Sequence, residues 1–411
     1  MRRAWFLRSV LLLIVTIAVS GRAAVLNTLV SFNNTNGAGP YDVGLIADGS
    51  GNLYGTTENG GTNGKGTLFK LDASNNYALT TLTNFNSGTA FPHGSLLADA
   101  LGNLYGATEG GGGGNGAVFK LTIGSNSPTV LAGFNYSNGS NPSALIADAA
   151  GNLYGTTQEG GANASGTVFK IAAGSNTLTT LVNFNGSNGS QPNGALVADA
   201  AGNLYGTTMG SGSGANANGN VFKLDPTTSA FTSLASFTTA TGTDPNAALI
   251  FDASGNLAGT TFGGGANGDG TVFKLVGHTL TALASFNGIN GAHPDAGVIA
   301  DAAGNLYGTT GDGGANNLGT VFKLTHGSNA LSVLASFDGS TNGQLPHGRL
   351  LADASGNLFG TTLQGGPGGY GTVFELTNTG FVVPEPSSLA LLACAIIFTA
   401  RRRQAFRLHA A

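Results

Sequence analysis

The sequence predicts an all-β protein: a seven-bladed β-propeller of four-stranded antiparallel blades, closed by the N-terminal strand. Three observations predict it. The heptad Gly-Asn-Leu-Tyr-Gly-Thr-Thr at residues 151–157, or a close variant, starts at Gly51, Gly102, Gly151, Gly202, Gly255, Gly304 and Gly356, spaced by 51, 49, 51, 53, 49 and 52 residues. Within each period the apolar residues alternate in four short runs, with no helical periodicity between them. The last period stops one strand short, and the N-terminus carries a spare one. A fixed internal period marks one repeat architecture, and it overrides the two or three domains that 411 residues would otherwise suggest.

The third copy gives the unit in order. The first strand is the apolar run Ala144 to Asp148, and the second runs from Asn152 to Thr157 after a tight turn. The turn aspartate recurs as Asp48, Asp99, Asp148, Asp199, Asp252, Asp301 and Asp353. Its carboxylate can accept from turn amides, and the following Gly takes positive φ at no steric cost. A calcium site needs six to eight oxygen ligands, and the partner acids are missing. A Gly-rich loop at residues 160–166 leads to the third strand, Thr167 to Ile171, and a turn at Gly174 leads to the fourth, Leu178 to Phe184.

A blade this thin cannot bury both its faces, so neighbours must stack. Aromatic positions supply the contact: Tyr54, Tyr105, Tyr154, Tyr205, Tyr307 and Phe359 in the second strand, with Ala258 the exception, and a Phe in every third strand. Burial of each Phe contributes roughly 1.5–3 kcal/mol. The last unit ends at Leu376 after three strands, whereas residues 25–33 match the fourth-strand pattern of residues 178–185. The N-terminal strand is therefore expected to complete the last blade.

Composition narrows the function. Gly numbers 69, charged residues make up 9% and the net charge is -4, with no basic tract in the repeats. Nucleic acid is excluded as a partner on that ground, since phosphate neutralisation needs clustered Lys and Arg. The single cysteine, Cys394, rules out an internal disulfide and a Cys-rich zinc site. No cofactor is expected, and a monomer is.

The ends read as addresses. Residues 1–23 have the basic start, apolar core and small-residue cleavage site of a secretory signal peptide. Residues 381–411 carry Val383-Pro384-Glu385-Pro386, a short apolar run from Leu389 to Ala400, and Arg401-Arg402-Arg403. Twelve apolar residues are short for a stable span, but an apolar stop before Arg holds a chain in the membrane transiently. This tail resembles the PEP-CTERM sorting signal of Gram-negative bacteria. The resemblance implies an exosortase-like sorting machinery as partner, removal of the tail, and export to the cell envelope, outer surface or extracellular matrix. The propeller is expected at residues 24–380, and over roughly residues 40 to 376 its units resemble the GloVer repeat of exported bacterial proteins on Gly-Asn-Leu-Tyr-Gly-Thr-Thr, the Gly-Gly loop and Gly-Thr-Val-Phe-Lys-Leu. That family supplies no catalytic residues to carry over.

Strand direction sorts the loops. With the first strand innermost, the Gly-rich and the Pro-containing loops share one face, and long loops on a rigid scaffold are where function sits. The residues after the prolines should ring the channel mouth: Tyr41 and Asp42, His93, Ser143, Asn193, Asn246, Asp295 and His347. Just after the second strands come Glu58, Glu109, Glu159 and Asp312. Acids, imidazoles and amides converging there suit a sugar or a cation. No nucleophile elbow and no metal-ligand pair at helical spacing is present. The expectation is a non-catalytic binding or matrix protein acting with extracellular polysaccharide. The alternative is a polysaccharide-directed hydrolase or lyase using the acids and imidazoles of the mouth.

Overall fold

The structure, a computed structural model, describes residues 22–41, 44–210 and 218–384. Most of the expected signal segment and sorting tail, and Asp42, lie outside the described residues. Seven antiparallel sheets form the blades. Blade 1 runs from the channel outward as Ile46–Ala47, Leu53–Thr57, Thr67–Asp72 and Ala78–Asn84. Blade 7 has Leu351–Ala352 innermost, then Leu358–Thr362 and Thr372–Thr377, with Val25–Ser31 as its outer strand. Val25 pairs with Thr377 and Ser31 with Thr372, so the expected closure is present. This strand also carries a bulge between Thr28 and Val30, opposite Phe374 and Val373. The same bulge falls at the equivalent Val168/Phe169 of blade 3 and Val272/Phe273 of blade 5, which makes residues 25–31 a fourth strand in every respect.

The heptad now explains itself residue by residue. In blade 3 the Asp148 carboxylate accepts from the amides of Ala150 and Asn152, from the Asn152 side chain at 2.7 Å and from the Tyr154 hydroxyl at 3.0 Å. The Asn152 side-chain oxygen Oδ1 accepts from the Ala173 amide, tying the first turn to the next. Gly155 has no room for a side chain, because a Cβ there would lie 2.7 Å from the Phe169 ring. Thr156 reaches the carbonyl of Gly194 in the next blade at 3.5 Å, and Thr157 bonds Thr167 in the next strand at 2.8 Å. Blade 5 lacks the tyrosine and compensates: with Ala258 in its place, Lys274 reaches Asp252 at 2.6 Å. In blades 2, 3, 4 and 6 that lysine lies over the tyrosine ring instead, as Lys170 does at 5.6 Å from Tyr154. Tyr154→Phe is expected to cost about 0.5–1.5 kcal/mol, one hydrogen bond. A urea midpoint equal to wild type would show that the phenol bond contributes nothing.

The core lies between blades. At each of the seven interfaces the fourth-strand Phe of one blade meets the third-strand Phe of the next, as in Phe134–Phe169 at 5.0 Å and Phe286–Phe322 at 5.0 Å between ring centroids. Phe32 meets Phe69 at 5.3 Å, so the N-terminal segment supplies the contact that closes the circle. The Pro loops repeat the theme: a Cβ on Gly166 would lie 2.6 Å from Pro192, and one on Gly371 would lie 2.9 Å from Pro40 across the closure.

Two features differ from expectation. The innermost strands are mostly two-residue pairs, shorter than the run from Ala144 to Asp148, because the chain between Pro and the pair turns towards the neighbouring blade. The Gly44 amide, for example, donates to the Ser95 hydroxyl at 3.0 Å. Second, the chain beyond the last strand stays on the propeller. Tyr307 donates to the Gly380 carbonyl at 3.1 Å, Phe381 packs on Tyr307 at 5.1 Å, and Ala302 donates to Val382. This clasp lies on the face of the short Asp turns.

Candidate functional site

The mouth is built by an unusual backbone position. The residue before each mouth proline takes positive φ, with Phe91 at 59°, Asp244 at 53°, His293 at 54° and Leu345 at 57°. L-residues rarely adopt this conformation, at a cost of about 1–3 kcal/mol. Hydrogen bonds hold it: the His293 amide donates to Asp269 of the preceding Gly-rich loop, and its carbonyl accepts from Gly311. The chain is thereby forced inward, and the residue after each proline is delivered to the channel entrance.

There the side chains of five consecutive blades connect. Asn246 of blade 5 donates to Asp295 of blade 6 at 2.9 Å. His347 of blade 7 donates through Nδ1 to the other Asp295 oxygen at 2.7 Å, which fixes its tautomer. Tyr41 of blade 1 lies between two imidazoles, with ring centroids 5.4 Å from His347 and 5.8 Å from His93. His93 of blade 2 has its Nε2 3.8 Å from the Glu109 carboxylate. Asp295 and His93 are buried.

Burial sets the protonation of this arc. It pushes the Glu58 carboxyl up, and the neighbouring Glu109 charge adds to that, against opposing pulls from Asn59 and His93. Burial raises Glu109 likewise and lowers His93, the latter against the attraction of Glu58 and Asp295. Burial would raise Asp295 too, but the His347 hydrogen bond and charge, then Asn246, outweigh it and hold the carboxyl below its ordinary value.

The turn aspartates give a pH prediction. Burial opposes ionisation of Asp48, Asp99, Asp148, Asp199 and Asp252, yet bonds from Asn, Tyr and backbone amides, with Lys274 on Asp252, hold all five below the ordinary carboxylate value. A depressed folded pKa gives stability that is complete above the unfolded value and lost as pH falls through the folded one. The melting temperature is therefore expected to drop steeply below about pH 4. Glu58 and Glu109 act with the opposite sign, since their raised pKa values cost stability at neutral pH and the cost is relieved on acidification. The E58Q/E109Q double variant should melt higher than wild type at neutral pH, with the difference shrinking towards about pH 4. A pH-independent difference would contradict the assignment.

Not every expected residue joins the arc. Ser143 turns inward to the Thr156 hydroxyl at 2.6 Å. Asn193 is half-buried on blade 4, across the ring. Glu159 pairs with Ser140 one position beyond the level of Glu58 and Glu109, because blade 3 carries Gln158 at their place. His293 and Asp312 form a separate pair at 2.9 Å, with His293 stacked on Phe262 at 4.6 Å. Sequence reasoning missed the apolar half of the rim. The positions equivalent to Glu58 hold Met209, Phe262 and Leu363 on blades 4, 5 and 7, and an alignment of the seven copies at that one column reveals it. It also missed Arg349, the one large residue where the other copies carry Gly, Ser or Ala.

A groove of about 590 Å³ lies elsewhere, between blades 2 and 3 on the short-turn face, lined by Leu97, Tyr105, Leu131, Leu153 and Ile171. The corresponding groove between blades 6 and 7 is filled by Phe381, so it belongs to the repeat packing and carries none of the mouth chemistry.

Comparison with known proteins settles the family. The model of the Gloeobacter/Verrucomicrobia repeat matches residues 14–213, 81–252 and 197–384. The chain belongs to the Gloeobacter/Verrucomicrobia repeat family. No curated protein matches its sequence. Among solved structures, this Gloeobacter/Verrucomicrobia repeat protein is similar to the extracellular domain of BT4673 from B. thetaiotaomicron, with 12% identity and a TM-score of 0.57 over 86% of this chain. It spans only 40% of that chain's length. A structural-genomics protein of unknown function from Bacteroides thetaiotaomicron is similar at 14% identity and a TM-score of 0.50, covering 86% of this chain and 76% of the other. At such identities the likeness concerns the fold alone.

Proposed function

We propose that this protein is an exported, cell-surface-associated propeller that binds extracellular polysaccharide at its channel mouth without transforming it. One observation carries the reading: the mouth is two-sided. A connected polar arc, Asn246–Asp295–His347–Tyr41–His93, occupies one side, and Met209 and Phe262 are among the rim positions of the other. A sugar ring has the matching character, with an apolar face that stacks on aromatic rings and hydroxyls that take directional hydrogen bonds. Export rests on the sequence of residues 1–23 and on the PEP-CTERM-like tail at 381–411. The clasp at residues 379–382 supports the same picture, because the chain leaves the propeller from the short-turn face. A tail handled by an exosortase-like machinery at the membrane would thus leave the mouth facing outward.

Calorimetric titration with oligosaccharides from the host's extracellular polysaccharide tests this. Wild type is expected to bind, and Tyr41→Ala with His347→Ala to weaken binding by about tenfold or more. Oligosaccharides that bind neither form, or both equally, would remove the support.

The hydrolase or lyase alternative is favoured by one detail. Glu58 and Glu109, both raised by burial, stand beside His93 on adjacent blades, and an upward shift is the direction a general acid needs. Reducing-end release or unsaturated product from the same oligosaccharides, abolished in E58Q and E109Q, would establish it; no turnover by wild type would exclude it.

A further inference from the structure

One step below the mouth, each innermost strand carries a residue just ahead of the buried apolar side chain that starts its pair. Gly44, Ser95, Ala144, Ala195, Ala248 and Gly297 hold this position in six blades, and blade 7 places Arg349 there. Leu350, its neighbour, is buried in the blade. Successive side chains of an extended segment point to opposite sides, so Arg349 points into the channel. A Cβ on Gly44 would lie 3.4 Å from the Arg349 Cβ and 2.6 Å from the Ser95 hydroxyl, so these positions face one narrow space.

Among the described residues the guanidinium has no counter-ion. Its Nε is buried without a hydrogen-bond partner, and no carboxylate among the described residues pairs with it. Its pKa is lowered by burial alone. A fold under no other demand would place Gly, Ala or Ser here, as the other blades do, since an unpaired charge in an enclosed site is costly. His347, two residues earlier on the segment that leads into the innermost strand, belongs to the mouth.

We propose that Arg349 receives the carboxylate of an acidic sugar, a terminal uronic-acid residue whose ring occupies the mouth. This inference rests on the carbohydrate reading above and names its ligand class. The planar fork of Arg matches a carboxylate with two parallel hydrogen bonds. The acids at the rim select against a more heavily charged oxyanion. Asp295, whose carboxyl is held below its ordinary value, repels a phosphate dianion more strongly than a single negative charge. The proposal takes the sugar by a chain end, with its ring at the mouth and its carboxylate below.

The test uses the full chain and titrates glucuronate, glucose, acetate and inorganic phosphate, alone and as terminal units of short oligosaccharides for the two sugars. Wild type is expected to bind the glucuronate-ended oligosaccharide at least about tenfold tighter than the glucose-ended one, as loss of a charge-assisted hydrogen bond implies. R349M should level the two, R349K should keep part of the preference, and R349M should melt no lower than wild type because an unpaired buried charge is gone. Equal binding of both oligosaccharides by wild type, phosphate binding as tight as glucuronate, or an R349M protein that melts lower overturns the proposal. If the neutral oligosaccharide binds and glucuronate gains nothing, this inference fails and the mouth reading stands. If acetate binds through Arg349 while no sugar binds, the acidic-sugar proposal and the mouth reading fail together.

Discussion

Deletion of residues 25 to 33 is expected to abolish the closed ring. The deletion removes the whole outer strand of blade 7, whose pairing runs from Val25–Thr377 to Ser31–Thr372. It also removes Phe32, which is fully buried against Phe69 of blade 1. Loss of a buried Phe side chain alone costs about 3–5 kcal/mol. A domain of this kind has only about 5–15 kcal/mol of net stability, and the unpaired edge of Thr372–Thr377 adds to the loss. The melting temperature by circular dichroism should therefore collapse, and the protein should aggregate through the new edge. Phe32→Ala isolates the aromatic part and should show a smaller drop with the strand retained. If the deletion variant melts like wild type, residues 25–33 do not close the ring in solution.

Phe322→Ala comes next in size. Phe322 is fully buried on the third strand of blade 6, with its ring 5.0 Å from Phe286 and packed over Gly308. Replacement leaves a cavity between two blades that the rigid sheets cannot collapse, at about 3–5 kcal/mol. Because the ring is closed, weakening one interface weakens the whole, and the equivalent Phe169→Ala in blade 3 should cost the same within about 1 kcal/mol. Urea denaturation measures both. Two transitions in place of one, or a midpoint shift confined to one of the variants, would show that the blades unfold independently.

Much of this architecture was legible because each copy of the unit carries its own instructions. The Asp148, Asn152 and Tyr154 constellation forms from residues within six positions of one another, so local chemistry alone defines the turn and the strand pair. Phe169 and its equivalents declare by their spacing which face must be covered. Closure was legible by subtraction, since residues 25–33 supply the strand the last copy lacks. The Phe of the fourth strand was harder to read. Phe134 gains its meaning only from Phe169 in another blade, and nothing in one copy states that the two meet.

The site was legible only as a list of positions. Counting from the prolines brought Asn246, Asp295, His347, Tyr41 and His93 to one end of the channel, where they connect. It also brought Ser143, which the structure turns to Thr156, and Glu159, which stands one place out of line with Glu58 and Glu109. One residue more or less between the proline and the pair decides which way a side chain faces, because orientation alternates along an extended chain.

By itself, then, the sequence determined the repeat, its turns, the number of blades and the strand that fastens them, since all are short-range patterns written seven times. Only the tertiary structure decided what the mouth is. Its polar arc joins residues as far apart as Tyr41 and His347, its apolar half comes from columns that differ between copies, and Arg349 stands alone in a channel that exists only once the circle is closed. A repeat encodes what its copies share; the site is made of what they do not share, and closure of the ring is what brings those differences within reach of one another.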